Sequence, residues 1–252
     1  MIFLRLLDEA LRCAKENDLK LLSFSMGDLL THTKILYKDQ VFIGVTITPR
    51  NEGDLFASEY ESLEQLLNGG KTYDISKRAF ALSAINAIGQ FLLSLNKPVF
   101  GENLRTELSS KIVTLSKKDD KIVFIGNLSP VVTRLKQLGK NVTVFCRESN
   151  NKHIGIYNDI FEYEAVSQAD IVVITGASLI GSTIDAILKF TTNTKAVILA
   201  GFSAGGYPKW YEGVGITHIG SIYLEDFVLD KKDTTLDKIF DQKCYFVEIG
   251  NS

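Results

Sequence analysis

Three glycine-containing turns in the second half of the chain hold the residues best placed for chemistry. They follow apolar, β-branched runs and have the sequences Gly126-Asn127-Leu128-Ser129, Thr175-Gly176-Ala177-Ser178 and Gly201-Phe202-Ser203-Ala204-Gly205-Gly206. Because the first two turns precede helical patterns, their backbone N–H groups and the helix N-termini favour an anionic or carboxylate-bearing ligand. We predict that seven residues of these turns bind the ligand, namely Gly126, Ser129, Thr175, Gly176, Gly201, Ser203 and Gly205.

A nucleotide is one candidate ligand, since dinucleotide-binding folds place a glycine turn after the first strand and an acid about 20 residues later. Glu148 lies 22 residues beyond Gly126. However, the turn GNLSPV has one glycine where the G-x-G-x-x-G motif needs three, and the chain has no P-loop motif. The cofactor is therefore unknown: no intact NAD or P-loop site is predicted, whereas a looser adenosine or S-adenosyl site stays open.

Metal ligands and nucleophiles form no recognisable pattern in the sequence. His32, His153 and His218 have no metal-ligand spacing and no neighbouring cysteine, so no metal site is predicted. Cys146 precedes Arg147, which favours a thiolate, but a free cysteine is more commonly a buried structural residue. Catalytic residues are unknown, and whether the protein is an enzyme stays open.

The elements that position the three turns alternate between strand and helix over residues 113–252. Strands are predicted at residues 121–125, 141–145, 169–175, 195–200 and 217–223, with helices at 130–138 and after the strands that begin at 169 and 195, and a final edge strand at 244–249. Such alternation predicts a doubly wound, mostly parallel, Rossmann-like α/β domain. Since the carboxyl ends of parallel strands lie at one edge of the sheet, we expect the turns to wall a single cleft.

The first 112 residues predict a smaller α+β domain. An amphipathic helix at residues 3–14 precedes strands at 19–24 and 41–48 and helices at 62–67 and 76–95, while residues 26–33 are ambiguous. Asn86 interrupts the apolar pattern of the last helix, so its amide is either paired within the core or faces a ligand. Thr46, Thr48 and Arg50 form a weaker candidate cluster at the end of the second strand.

Composition excludes some partners. The net charge of −2 over 252 residues indicates no nucleic-acid-binding surface, and no apolar run approaches the roughly 20 residues that span a bilayer. Three widely spaced cysteines favour a reducing, cytoplasmic location, and the N-terminal segment lacks the features of a signal peptide. We expect a small-molecule ligand and neither nucleic acid nor membrane as partner, with a homodimer left open.

The chain resembles the heavy-metal chelation domain family, an uncharacterised group that joins an enolase N-terminal-like domain to a Rossmann-like domain. The resemblance covers most of the chain and is based on the segments FALSAINAI, KIVFIGNLSPVVTRLKQLG, ADIVVITGASLIGSTID and AVILAGFSAGGYP. It implies a ligand site in the cleft between the domains, to which Asn86, Arg147, Thr183 and Pro208 would also belong. Phe202 and Ser182 depart from the family's usual Pro and Asn, so the ligand could differ from that of other members.

Three functions follow as hypotheses. The first is a cytoplasmic protein that binds a small molecule or metal chelate in the interdomain cleft, where Gly176→Val is expected to block binding without unfolding the protein. The second is a transferase or other enzyme that uses an adenosine-type cofactor on the Rossmann-like domain. The third is a non-catalytic scaffold.

Overall fold

The structure is a computed structural model that describes residues 1–49, 59–147, 155–224 and 236–250. The helices within these residues are α1 (Ile2–Glu16), α2 (Leu63–Gly69), α3 (Ile75–Leu95), α4 (Leu104–Leu115), α5 (Ser129–Gln137), α6 (Glu162–Ser167), α7 (Thr183–Ile187) and α8 (Leu236–Phe240). The strands are β1 (Lys20–Met26), β2 (Leu30–Tyr37), β3 (Gln40–Ile47), β4 (Phe100–Gly101), β5 (Lys121–Ile125), β6 (Asn141–Phe145), β7 (Ile156–Tyr157), β8 (Ile171–Thr175), β9 (Ala196–Ala200), β10 (His218–Ile222) and β11 (Cys244–Glu248).

The larger sheet has eight strands in the order β4-β11-β10-β9-β8-β5-β6-β7. The six strands from β5 to β10 are parallel and lie in the spatial order β7-β6-β5-β8-β9-β10. This is the strand order of dinucleotide-binding sheets, which reverses direction between the first and fourth strands, here β5 and β8. The predicted mixed α/β fold with a mostly parallel sheet is confirmed.

Several elements differ from the sequence-based predictions, and helix α4 and strand β7 were not predicted. β11 is not an edge strand, because Cys244 pairs with Ile222 of β10 on one side and with Gly101 of β4 on the other. β4 has two residues, too few to give a strand pattern in the sequence. After β9 the chain forms short 3-10 helices, Phe202–Ala204 and Pro208–Tyr211, instead of the predicted α-helix. Glycine and proline between and within them disfavour a continuous helix.

The smaller sheet is antiparallel, in the order β1-β2-β3, and its middle strand lies in the segment that the sequence left ambiguous. Thr31 and Thr33 of β2 are fully buried and face polar partners, since Thr33 Oγ1 lies 2.6 Å from Ser83 Oγ and Thr31 Oγ1 lies 3.1 Å from Thr48 Oγ1. A buried face made partly of threonine hides the usual apolar alternation of a strand.

The two faces of the larger sheet are covered by different helices. On one face, α4 and α5 pack on the sheet through Ile112 and Leu135 against Phe124. On the other face, one continuous core joins sheet residues such as Ile174 to α7 and to the N-terminal helices. The N-terminal part of the chain therefore packs directly on the parallel sheet.

Helix α3 lies at the centre of this continuous core. By length and apolar composition it could cross a membrane, but 83% of its most apolar window is buried inside the protein. Gly44 of β3 permits close packing on it, because a Cβ there would lie 2.1 Å from the Ser83 carbonyl oxygen. A helix that is apolar on all sides is typical of a buried core element.

The predicted domain boundary near residue 112 stays a prediction. The structure adds that β4 pairs with β11 and that α4 packs on the face of the larger sheet. Residues 100–112, which the prediction assigned to the first domain, thus belong to a segment that contacts the elements of the second.

Candidate functional site

The three glycine turns lie next to one another at the carboxyl edge of the parallel sheet. In the strand register, Ile125 pairs with Ile174 and Thr175 pairs with Ala200, so that Gly126, Gly176 and Gly201 follow neighbouring strand ends. The turns therefore flank the point where the strand order reverses, which is where open α/β sheets bind ligands.

Gly126 and Gly201 are required by the backbone. Their φ angles are +97° and +101°, in the region that side chains with a Cβ rarely adopt. A Cβ on Gly126 would also lie 2.4 Å from Thr175 Cγ2, so this part of the crevice is packed by the protein itself. Thr175 Oγ1 accepts a hydrogen bond from the Ala177 N–H at 3.5 Å.

Asn86 and Ser203 join the N-terminal part to the turn after β9. Ser203 Oγ accepts hydrogen bonds from Thr46 Oγ1 at 3.0 Å and from the Ile47 N–H at 3.1 Å. Asn86 Nδ2 donates to the Val45 carbonyl at 2.8 Å and to the Ser203 carbonyl at 3.3 Å. Because the amide nitrogen faces two carbonyl oxygens, Asn86 Oδ1 points away from both, and it is buried with no hydrogen-bond partner in the part of the chain that the structure describes. We call this contact the Asn86–Ser203 seam.

Glycines make the seam tight. A Cβ on Gly176 would lie 2.3 Å from the Ala204 nitrogen, and one on Gly205 would lie 3.2 Å from Asn86 Cγ. Any side chain at position 176 thus displaces the backbone of the neighbouring turn. Contrary to the sequence-based expectation of an intact fold, Gly176→Val is therefore expected to disturb this packing, and it does not isolate an effect on a ligand site.

Arg78 is a structural residue near the turns that the sequence analysis missed. It lies in α3 with 7% of its surface exposed, and its guanidinium donates to the Ile180 carbonyl and, at 2.5 Å, to Ser182 Oγ. Burial lowers the pKa of Arg78, an effect that nearby Asp185 opposes. Ser182, at the N-cap position of α7, has a φ of +54° and makes no capping hydrogen bond with its side chain. The signal in the sequence for the burial of Arg78 was its position as a basic residue within an apolar helical pattern.

The remaining predicted site residues are dispersed. The Arg147 side chain is 71% exposed and its Nε donates to Asp159 Oδ2 at 2.7 Å, which raises the pKa of Arg147. Thr183 Oγ1 donates to the Ser178 carbonyl at 3.4 Å, and Pro208 is buried at the start of a 3-10 helix. Arg50, Glu148 and His153 lie outside the described residues.

A cavity of about 200 Å³ lies beside the first turn, on the face covered by α4 and α5. We call it the α4–α5 pocket. Its walls come from α4, from the turn after β5, from the start of the turn after β9 and from α8, namely Leu104, Arg105, Leu108, residues 127–131, Gly201, Leu236 and Phe240. Two predicted site residues, Ser129 and Gly201, therefore line one cavity.

Arg105 is the charged residue among those that line the α4–α5 pocket. Its guanidinium carbon lies 4.6 Å from the centre of the Phe240 ring, and its Nη2 donates to Asp237 Oδ1 at 2.6 Å. Its Nε is buried and has no hydrogen-bond partner among the described residues. No element was predicted at residues 104–115, and a lone arginine is usually solvated surface, so Arg105 was not a predicted site residue.

A metal ion held by protein side chains does not fit the described part of the chain. There, no three His, Cys, Asp or Glu side chains come close enough together to hold one. Burial raises the pKa of both Cys13 and Cys244 to about 11, which disfavours the thiolate forms that bind metals. We assign no step to a protein-bound metal.

The model of a protein family described as "Putative heavy-metal chelation" (DUF364) matches residues 110–238. An uncharacterised protein of Methanocaldococcus jannaschii is 31% identical over 222 residues, which cover 84% of this chain and 82% of that protein.

Two crystal structures of DUF364-family proteins of unknown function have the same fold. The one from Pyrococcus horikoshii has a TM-score of 0.83 and 24% identity, covering 99% of this chain and 100% of that chain. The one from Desulfitobacterium hafniense has a TM-score of 0.71 and 15% identity, covering 95% and 98%. At these identities the likeness shows the fold alone.

Proposed function

This chain belongs to the DUF364 family, described as "Putative heavy-metal chelation", and on that premise we propose that it binds a small organic anion of the metal-chelating kind in the α4–α5 pocket. The observation that carries the proposal is the position of this pocket. It opens at the carboxyl edge of the parallel sheet, next to the strand reversal, and Ser129 and Gly201 from two of the glycine turns line it.

The size and lining of the pocket suggest the class of ligand. Pockets for drug-sized molecules measure about 300–1,000 Å³, and this cavity of about 200 Å³ suits a smaller molecule. Its walls are largely aliphatic and aromatic, with the Arg105 side chain and the N-terminus of α5 as sources of positive potential. A small carboxylate with an apolar ring matches these features.

The family description concerns heavy metals, whereas the described residues offer no metal-ligand cluster. We therefore assign the chelating groups to the organic ligand, and any metal would be its cargo. Aromatic hydroxy- and aza-carboxylates such as salicylate and picolinate combine an apolar ring, an anionic group and a chelating atom pair. They are suitable probes.

An adenosine-type cofactor is the second candidate, and the strand order of the parallel sheet favours it. The order β7-β6-β5-β8-β9-β10 is that of dinucleotide-binding domains, and Gly126 follows the first strand of that unit. The one-glycine turn GNLSPV argues against a whole dinucleotide. A transferase that uses such a cofactor at this edge stays the alternative.

Several further properties are part of the proposal. The protein is proposed to act in the cytoplasm on a small-molecule partner, without binding nucleic acid or membrane, and a homodimer is compatible with it. Ligand binding between the N-terminal part and the parallel sheet, near the Asn86–Ser203 seam, is the alternative location for the site. A non-catalytic scaffold is the outcome if no small molecule binds.

A ligand panel with a pocket-filling variant tests the proposal. The shift in melting temperature is measured with salicylate, picolinate, Ni²⁺-picolinate, NiCl₂, S-adenosylmethionine and ATP. We expect the organic anions to stabilise the wild type, because a ligand that binds only the folded state raises its stability. Ser129→Trp should abolish this shift, whereas Ser110→Trp, on an exposed position of α4 that does not line the pocket, should retain it.

Three other outcomes would contradict ligand binding in the α4–α5 pocket. An unchanged shift in Ser129→Trp would place the ligand elsewhere. A shift with S-adenosylmethionine or ATP and none with the carboxylates would favour the adenosine alternative. The absence of any shift would favour a scaffold.

A further inference from the structure

We infer that Arg105 is the residue that recognises the anion in the α4–α5 pocket, with its Nε–H as the donor and Asp237 as a counter-ion that weakens binding. This inference is based on the proposed function and names the specificity-determining contact of the same site. It follows from how the guanidinium is held, from what surrounds it and from which of its donors is unused.

The guanidinium plane is fixed from two sides. One face stacks on Phe240, with 4.6 Å between the guanidinium carbon and the ring centre, and Nη2 is bound to Asp237 Oδ1 at 2.6 Å. A guanidinium presents its donors in a rigid planar fork, so these two contacts also determine where the Nε–H points. The donor is preorganised before a ligand arrives.

Nε is the buried donor of this fork that remains unpaired. It has no hydrogen-bond partner among the described residues, although most buried polar groups in proteins are paired. Leu104, Leu108 and Phe240 of the lining carry no side-chain acceptor. The polar lining residues Asn127 and Ser129 bind each other, with 2.8 Å between Ser129 Oγ and Asn127 Oδ1. A ligand oxygen would supply the missing acceptor, and in these apolar surroundings a charged hydrogen bond is stronger than in water.

Asp237 affects how strongly Arg105 binds an anion, but it is not itself part of the anion contact. Its side chain is 75% exposed, so its ion pair with Arg105 is screened by solvent. It nevertheless partly neutralises the charge that an anionic ligand would meet. A second contact, from Asn103 Nδ2 to Asp241 Oδ1 at 2.8 Å, also holds α8 against the start of α4, so α8 has an anchor that is independent of Arg105.

Two explanations of Arg105 predict opposite effects of one substitution. If Arg105 recognises the anion, Asp237→Asn keeps the shape of the side chain, removes the competing charge and strengthens binding. If Arg105 only fixes α8 through Asp237, the same substitution weakens binding in the way that loss of Arg105 does.

Isothermal titration of salicylate into the wild type and four variants at pH 7 and low salt measures this difference. We expect Arg105→Met to weaken binding by about tenfold to a hundredfold, the range for losing a hydrogen bond to a charged group. Arg105→Lys should recover only part of it, since an ammonium lacks the planar fork. Asp237→Asn should tighten binding about two- to fivefold. The control for α8 is Asp241→Ala, which removes the contact from Asn103 but keeps the Asn103 cap of α4, and it should change binding little. The melting temperature of each variant checks that it is folded.

The results separate the inference from the proposed function. Weaker binding by Asp237→Asn, or wild-type affinity in a folded Arg105→Met protein, would overturn the role of Arg105 while leaving the pocket proposal in place. Failure of the wild type to bind salicylate, picolinate or the other anions would overturn both.

Discussion

Polar residues inside α3 bind main-chain groups from distant parts of the chain. Asn86 donates to the carbonyls of Val45 and Ser203, and Gln90 Nε2 donates to the Ile222 carbonyl at 3.0 Å while its Oε1 accepts from the Leu224 N–H at 2.9 Å. The edge strand β3, the end of β10 and the turn after β9 leave backbone groups unpaired, and these side chains pair them. The polar side chains of α3 therefore help to attach the N-terminal part of the chain to the parallel sheet.

Arg78 allows a test of this role. We expect Arg78→Met to lower the free energy of unfolding by about 3 kcal/mol, because buried acceptors at Ile180 and Ser182 lose their donor. Urea denaturation measures the loss. Arg134→Met, at an exposed position of α5, is the matched control and should stay near wild type. Equal stability of the two variants would contradict a structural role for Arg78.

At the scale of elements, glycine decides how closely the turns approach each other. The 3-10 helix that starts at Gly176 contacts the turn that contains Ala204 so closely that a Cβ does not fit. Gly89 of α3 makes a similar contact, since a Cβ there would lie 2.2 Å from the Gly205 carbonyl oxygen. The turns at the carboxyl edge are held as one packed unit.

Gly176→Ala should therefore destabilise the protein by about 2 kcal/mol or more, because the added methyl group must separate two backbone segments. Gly181→Ala is the matched control five residues away, where the nearest atom to an added Cβ is Thr183 Cγ2 at 3.7 Å. We expect that control to change stability by less than about 0.5 kcal/mol. Thermal or urea unfolding of both variants measures the difference, and a neutral Gly176→Ala would refute the close contact.

At the scale of the whole molecule, the two edges of the parallel sheet differ in character. The carboxyl edge holds the glycine turns, while the amino edge holds an ionic cluster in which Lys195 Nζ contacts Asp120 Oδ1 at 2.6 Å and Asp170 Oδ1 at 2.9 Å. These three residues lie just before β5, β8 and β9. The cluster thus ties together the amino ends of adjacent strands.

The cluster predicts how stability depends on acid. The Lys195 hydrogen bond and then the Lys117 N–H lower the pKa of Asp120, and the Lys121 N–H and then Lys195 lower the pKa of Asp170. A carboxyl whose pKa is lower in the folded state stabilises the protein above its unfolded pKa, which is about 3.9 for Asp, and this contribution is lost as pH falls through the folded pKa. Stability should fall as pH decreases from about 5 to below the folded pKa values.

Lys195→Met should make this fall shallower, because the folded pKa values of both carboxyls then move back toward the ordinary range. Urea denaturation at a series of pH values between 7 and 3 measures the slope. Lys209→Met, at an exposed position outside the cluster, should keep the wild-type slope. A wild-type slope in Lys195→Met would show that the cluster does not govern the acid response.

The sequence predicted the parallel strands well because they are buried on both faces and therefore consist of apolar, β-branched runs, as in residues 171–174. It failed for β2, where buried threonines interrupt the apolar alternation, and for β4 and β7, which have two residues each. It predicted Asn86 as a candidate without deciding between core and ligand. It missed Arg78, although a basic residue in an apolar helical pattern was a signal, and it missed Arg105, which lies where no helix was predicted. Neither position shows locally which distant groups the arginine contacts.

The sequence by itself determined the α/β class and the presence of glycine turns after successive strands, because strand patterns and turn glycines are local properties. The tertiary structure decided which of these turns face a cavity and which are packed shut. The contacts that determine how the turns are packed join residues far apart in the chain. The sequence separation is 102 for Arg78 and Ile180, 157 for Thr46 and Ser203, and 132 for Arg105 and Asp237. Such pairs form only after the strands are ordered and the helices are packed on the sheet, and their partners are therefore not encoded in any local pattern.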